Sequence, residues 1–197
     1  MTKPQPPKIW DRRPWPTIGD AAKEKTFEAV GRALTAWETH EGILSVLFAS
    51  FVSPQLVTKA GMRAYSAVRT FEGRAEMLRA ASSAYFDQEP DDAMLKQFKG
   101  ILTNASCFSP RRNEITHASV YPFSDPEGKE TDTYALYPAY ASFKERDLKN
   151  KPSYCMTSAE IDYFTTQFES LRAPISDLTS QIATREIYKK SWQNKSI

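Results

Sequence analysis

Ile161, Phe164, Phe168, Leu171, Ile175, Leu178 and Ile182 follow one another at steps of three and four without a break. Only an α-helix gathers such positions onto one face, so this stretch must bury a long apolar stripe. Ahead of it, Thr157-Ser158-Ala159-Glu160 has the form of a capping box and sets the helix start, while Pro174 predicts a kink inside the helix. The same period governs the first half of the chain. From Ala21, Phe27, Val30, Leu34, Trp37, Glu41, Leu44, Phe48 and Phe51 predict a helix that Ser53-Pro54 ends. A second helix is predicted over about residues 55–86, with Val57, Ala64, Val68, Phe71, Ala75, Leu78 and Tyr85 inward. Gly61 and Gly73 either weaken that helix or admit a close neighbour. A third helix follows Pro90-Asp91 and buries Met94, Leu95, Phe98, Ile101, Leu102 and Ala105. Ser109 suits an N-cap and Pro110 the first helical position, which predicts a helix start there.

The pattern changes over residues 122–154, where Pro, Gly, Asp, Lys and Tyr replace the helical period. Asp125-Pro126-Glu127-Gly128 signals a turn and Thr133–Tyr137 a strand, so this segment reads as a loop and β-hairpin insertion. Residues 1–20 read as an extended, Pro-rich arm pinned by Trp10 and Trp15, and residues 186–197 as a polar tail. The expected fold is all-α: an antiparallel up-down bundle of four to five long helices with a small β-hairpin, in one domain over residues 21–185.

Composition narrows the function classes. A formal net charge of +2 means that a polyanion partner would have to meet a local basic patch and not the whole surface. Two cysteines and two histidines in no ligand-like spacing argue against a metal site or a disulfide framework, and no cofactor is expected. The absence of a leader-like apolar segment or a span-length apolar run points to a cytoplasmic protein with no membrane partner.

The chemistry-bearing stretch is CFSPRRNEITHASVY, residues 107–121. Asn113 and His117, four residues apart, share a helical face, and the long Arg112 side chain can swing toward it. A helix start would add partial positive charge and unpaired N–H groups. Such a notch fits metal-independent RNA cleavage. The histidine exchanges protons with the 2′-hydroxyl or the leaving oxygen, the guanidinium holds the phosphate, and the amide fixes an oxygen or orients the ring. The plain alternative is a solvated basic turn with a surface histidine.

RNEITH, residues 112–117, resembles the R-x4-6-H motif of the HEPN superfamily, in which a polar residue, often Asn, follows the arginine. The expected helical core over about residues 21–185 resembles that family's all-α setting; many members carry Gly after the histidine, where Ala118-Ser119 stand here. The resemblance implies a homodimeric, metal-independent endoribonuclease in which Arg112 binds the scissile phosphate, Asn113 supports it and His117 is the acid/base. It equally admits a non-catalytic module that binds RNA, a nucleotide or a partner protein, such as an antitoxin, in a toxin–antitoxin or defence system. Secondary candidates are Arg111, which strengthens the local field, and Glu41, which interrupts an apolar face and needs a partner such as Arg74, Arg111 or Arg112. His40 is expected at the surface. Arg63, Arg69, Arg74 and Arg79 spiral around their helix and form no single stripe. Tyr134, Tyr137 and Tyr140 either stack on bases or pack the hairpin, and Cys107 and Cys155 are expected as small buried apolar groups.

Overall fold

The computed structural model describes residues 6–54, 58–125, 127–139 and 152–193. Among these residues, six helices and one hairpin follow in the order α1 (Lys23–Val52), α2 (Lys59–Ala67), α3 (Phe71–Gln88), α4 (Asp92–Thr116), β1 (Ala118–Ser124), β2 (Glu130–Pro138), α5 (Ser158–Ser170) and α6 (Arg172–Gln193). The chain is therefore mostly helical with a small antiparallel sheet. Two of the expected long helices are each divided in two, while the third and the one expected from Ser109 are joined.

The divisions have local causes. At 68–70 the backbone is extended, and the Thr58 and Thr70 hydroxyls accept the amides of Gly61 and Gly73, so each half has its own N-cap. Both glycines are also close approaches: a Cβ at Gly61 would lie 3.1 Å from the Ala49 Cβ, and one at Gly73 would lie 2.7 Å from Val68 Cγ1. The expected kink at Pro174 is instead a break at Leu171, between α5 and α6. Pro174 then occupies the first turn of α6, where a missing N–H removes no helical hydrogen bond. The capping-box glutamate does reach back, Glu160 Oε2 accepting the Thr157 amide at 2.8 Å. α6 continues to Gln193, through most of the residues expected as a tail; residues 194–197 lie outside the described set.

A larger correction concerns the motif. No helix starts at Ser109. α4 runs unbroken from Asp92 to Thr116 with Pro110 inside it. Proline there deprives the Ser106 carbonyl of its amide, but Phe108 and Ile115 on either side are each only 1% exposed. Burial of these side chains keeps the helix going where local chemistry alone would restart it.

The chain divides into two compact units: residues up to Trp37 with Phe108–Glu169, and Glu38–Cys107 with Ser170 onward. In the first unit, β1 and β2 pair antiparallel from Ala118↔Pro138 to Ser124↔Glu130, with Gly128 at φ +90° in the connection. The hairpin thus begins directly after His117, several residues earlier than expected. Phe123, Ala135, Tyr137 and Cys155 form a small core under it, with Trp15 of the arm against them. The arm also pairs with β2 through mutual Asp20–Tyr134 backbone hydrogen bonds of 2.7 and 2.8 Å. Gly19 is pressed so closely on the hairpin that a Cβ there would run into Thr133 Oγ1 and meet Phe123 Cβ at 2.6 Å. The Asp20 carboxylate accepts the Thr26 hydroxyl at 2.6 Å, the Ser158 amide at 2.8 Å and the Ser158 hydroxyl at 2.6 Å. One buried acid so binds the first turns of α1 and α5, where a negative charge suits the helix dipole.

In the second unit, Phe51 is packed by Tyr85, Phe86 and Phe98 at centroid distances of 5.5, 5.8 and 5.3 Å. The buried side of α1 differs from the expected stripe. Phe27 is exposed, whereas Ala29, Ala33, Trp37, His40 and Leu44 have no exposed surface. His40 is therefore a core residue, contrary to expectation.

Candidate functional site

Because α4 runs through to Thr116, Arg112, Asn113 and His117 lie at its C-terminal end. His117 is the residue just beyond the helix, its amide bonded to the Asn113 carbonyl at 2.9 Å. The local dipole is the reverse of the one a helix start would supply: this end presents carbonyls and partial negative charge. Positive potential here must come from side chains.

Arg112 is held from two sides. Its guanidinium stands over the ring of the fully buried Trp37, 5.4 Å from the centroid, and its Nη1 donates to Asn113 Oδ1 at 3.1 Å. Stacking a guanidinium on a tryptophan contributes about 1 kcal/mol and fixes its plane. Trp37 is itself held edge-on by Phe168 at 5.2 Å, and Phe168 by Phe108 at 6.1 Å. The motif arginine and asparagine are thus joined and oriented by the aromatic core of this unit. His117 is exposed, and among the described residues no side chain hydrogen-bonds its imidazole. With a helical rise of about 1.5 Å per residue, its Cα lies roughly 8 Å along the axis from that of Arg112.

Arg111 has a different role from the one expected. Its Nη1 lies 2.8 Å from Glu114 Oε2, while Arg12 of the arm donates Nε and Nη2 to Glu114 Oε1 at 2.9 and 2.8 Å. The same Arg12 donates Nη1 to the Ser153 carbonyl at 2.8 Å and stands over the Tyr154 ring at 5.3 Å, and the Tyr154 hydroxyl donates to the Glu114 carbonyl at 3.0 Å. Burial pushes the Arg111 guanidinium down from its ordinary value while Glu114 pulls it back. Burial, then the Glu114 charge, pushes the Tyr154 hydroxyl up to about 12. Glu114, in the middle of the motif, is therefore a tie point between arm, helix and the 153–154 loop. Sequence spacing had given it no role, because its main partner is more than a hundred residues away.

Glu41 and Arg74 belong to the second unit and partner each other. Glu41 Oε2 lies 3.1 Å from Arg74 Nη1 and accepts the Tyr65 hydroxyl at 3.2 Å; Glu41 is 4% exposed. Arg74 Nε also donates to the Val68 carbonyl at 2.8 Å, which ties the α2–α3 junction. Of the three partners considered for Glu41, Arg74 is the one found. Glu41 is buried and Arg74 half-buried, and the pair joins α1 to the start of α3. Arg63 of α2 and Arg69 in the link between α2 and α3 are exposed, and Arg79 of α3 bonds to Glu76. Tyr137 is buried, with its hydroxyl accepting the Ser124 amide at 3.0 Å, which leaves no face for a base; Tyr140 lies outside the described residues. Cys155 is buried as expected, and Cys107 is half-buried.

A cleft of about 470 Å3 in the second unit is lined by α3 and α4 residues including Phe86, Phe98, Arg79 and Lys99, and none of the expected site residues lines it. Among the described residues there is no cluster of three or more His, Cys, Asp or Glu that could hold a metal ion. No helix among them is long and apolar enough to cross a membrane. Comparison with family models, with curated proteins and with solved structures finds no match.

Proposed function

We propose that this chain is a HEPN-like helical-bundle protein that cleaves RNA without a metal, as a homodimer, through Arg112, Asn113 and His117. The observation that carries the reading is the pairing of a pre-oriented cation with an open imidazole. Arg112 is fixed on Trp37 and bonded to Asn113, and His117 stands exposed one residue past the same helix end. In the reaction the ribose 2′-oxygen attacks the adjacent phosphorus, the bond from phosphorus to the 5′-oxygen breaks, and a 2′,3′-cyclic phosphate and a 5′-hydroxyl result. His117 of one copy takes the 2′-proton, and that of a second copy gives a proton to the 5′-oxygen. Arg112 holds the phosphoryl oxygens, whose charge grows in the transition state.

One observation favours the second reading, a binding module for RNA, a nucleotide or a partner protein such as an antitoxin. The motif closes a helix, where the dipole opposes anion accumulation, so Arg112 must offset that field before it stabilises additional charge. Purified protein incubated with RNA in EDTA, beside His117→Ala and Arg112→Ala, decides between the two. Cleavage by the wild type that both variants lose supports catalysis. RNA binding with no cleavage at any pH leaves the binding module.

A further inference from the structure

The arm segment Lys8-Ile9-Trp10-Asp11-Arg12-Arg13 follows the motif end of α4 and the first turns of α5, as three contacts show. Trp10 packs edge-on against Phe108 at 6.2 Å. Arg12 pairs with Glu114. The Ile9 carbonyl accepts the Tyr163 hydroxyl at 3.1 Å. These contacts fix a segment that has no regular secondary structure of its own against Phe108 and Glu114, which stand four residues before and two after Arg112 on α4.

Its cations are presented in one repeated way. Lys8 stands 5.6 Å from the Trp10 centroid, Arg12 5.3 Å from that of Tyr154, Arg13 4.7 Å from that of Tyr163, and Arg112 5.4 Å from that of Trp37. Lys8 and Arg13 are exposed and make no ion pair among the described residues. For the exposed Lys8 and Arg13, the ring contact holds the cation in place while its N–H groups still face solvent. Segments 8–13 and 111–117 together carry five cations, Lys8, Arg12, Arg13, Arg111 and Arg112, against the two carboxylates of Asp11 and Glu114. Trp10 is half-buried, so part of its ring is open to a stacked base.

We propose that Lys8 and Arg13 of the arm, continuing from Arg112, form a cation–aromatic track for the phosphate backbone of single-stranded RNA. The inference rests on the reading of Arg112 as a phosphate-binding residue. The arm supplies positive charge that the helix end lacks. Neutralising two phosphate contacts on a single strand lowers the slope of log K against log salt by about 1.4.

The test separates binding from cleavage. Binding of a fluorescent single-stranded RNA of about twenty nucleotides is measured in EDTA over a range of salt, on His117→Ala protein. The same measurement is made on His117→Ala/Lys8→Gln/Arg13→Gln, and on a control carrying Lys96→Gln/Lys99→Gln in place of the arm changes. The expected result is a slope reduced by about 1.4 and affinity at low salt reduced at least tenfold for the arm variant alone, with unchanged thermal melting. Equal slopes for the arm variant and its parent overturn the track even if the wild type cuts RNA. Equal losses in arm and control variants also overturn it, since the effect would then be net charge. Polyglutamate competing as well as RNA does so too, by showing an acidic polypeptide site. Loss of binding in Arg112→Ala with none in the arm variant leaves the site but removes the track.

Discussion

The chain has two histidines, and their surroundings are opposite. His40 sits in the middle of α1 with no exposed surface; burial first, and the nearby Arg172 charge second, lower its pKa to about 4. His117 stands in the open, just past the end of α4. One imidazole is kept neutral by its packing and contributes to a core; the other is exposed to water. A histidine in sequence is thus a proton carrier only if the fold leaves it accessible, and the helix face decides that before any neighbour does.

That contrast can be broken first at His117. His117→Ala should lower RNA cleavage by a factor of about a hundred to ten thousand, the range for loss of a general acid or base, while leaving thermal melting unchanged. A fall in melting temperature that accompanies the loss would move His117 to the same category as His40.

The next largest effect should come from the ion pair of the buried Glu41. Glu41→Ala leaves Arg74 and the Tyr65 hydroxyl facing an empty acceptor, at a cost of about 4 kcal/mol in urea unfolding. A cost under about 1 kcal/mol would mean that the pair is solvated like a surface bridge.

Acid should act through His40. Its folded pKa is depressed, so the unfolded chain takes up the proton first, and stability is fully present above about pH 6.5 and falls as pH drops toward about 4. The shift corresponds to about 3 kcal/mol, developed by pH 4, and His40→Leu should remove that part of the pH dependence. A mutant with an unchanged pH profile would place the acid sensitivity elsewhere. Smallest is the cap: Thr70→Ala, which frees the Gly73 amide, should cost about 1 kcal/mol in the same unfolding measurement.

The helices were legible because their apolar steps repeat over many residues, and the capping box at Thr157–Glu160 was legible because both partners are local. What was hidden in α1 was the exact face. Ala29 and Ala33 carry little hydrophobic weight, so the larger Phe27, Val30 and Leu34 drew the expected stripe to one side and put His40 outside. Ser109-Pro110 has the chemistry of a helix start, yet burial of Phe108 and Ile115 overrode it. That single reversal changes the electrostatics of the candidate site from a helix N-terminus to a C-terminus. The Arg12–Glu114 link and the stacking of Arg112 on Trp37 join distant segments, and no local pattern encodes them.

Gly19 has a consequence for descent. With Thr133 and Phe123 closer to it than any side chain tolerates, a substitution there would lift the arm from the hairpin, and with it the partners of Asp20. Lineages that retain this docking should therefore keep Gly19-Asp20 together with Ser158, even where RNEITH drifts.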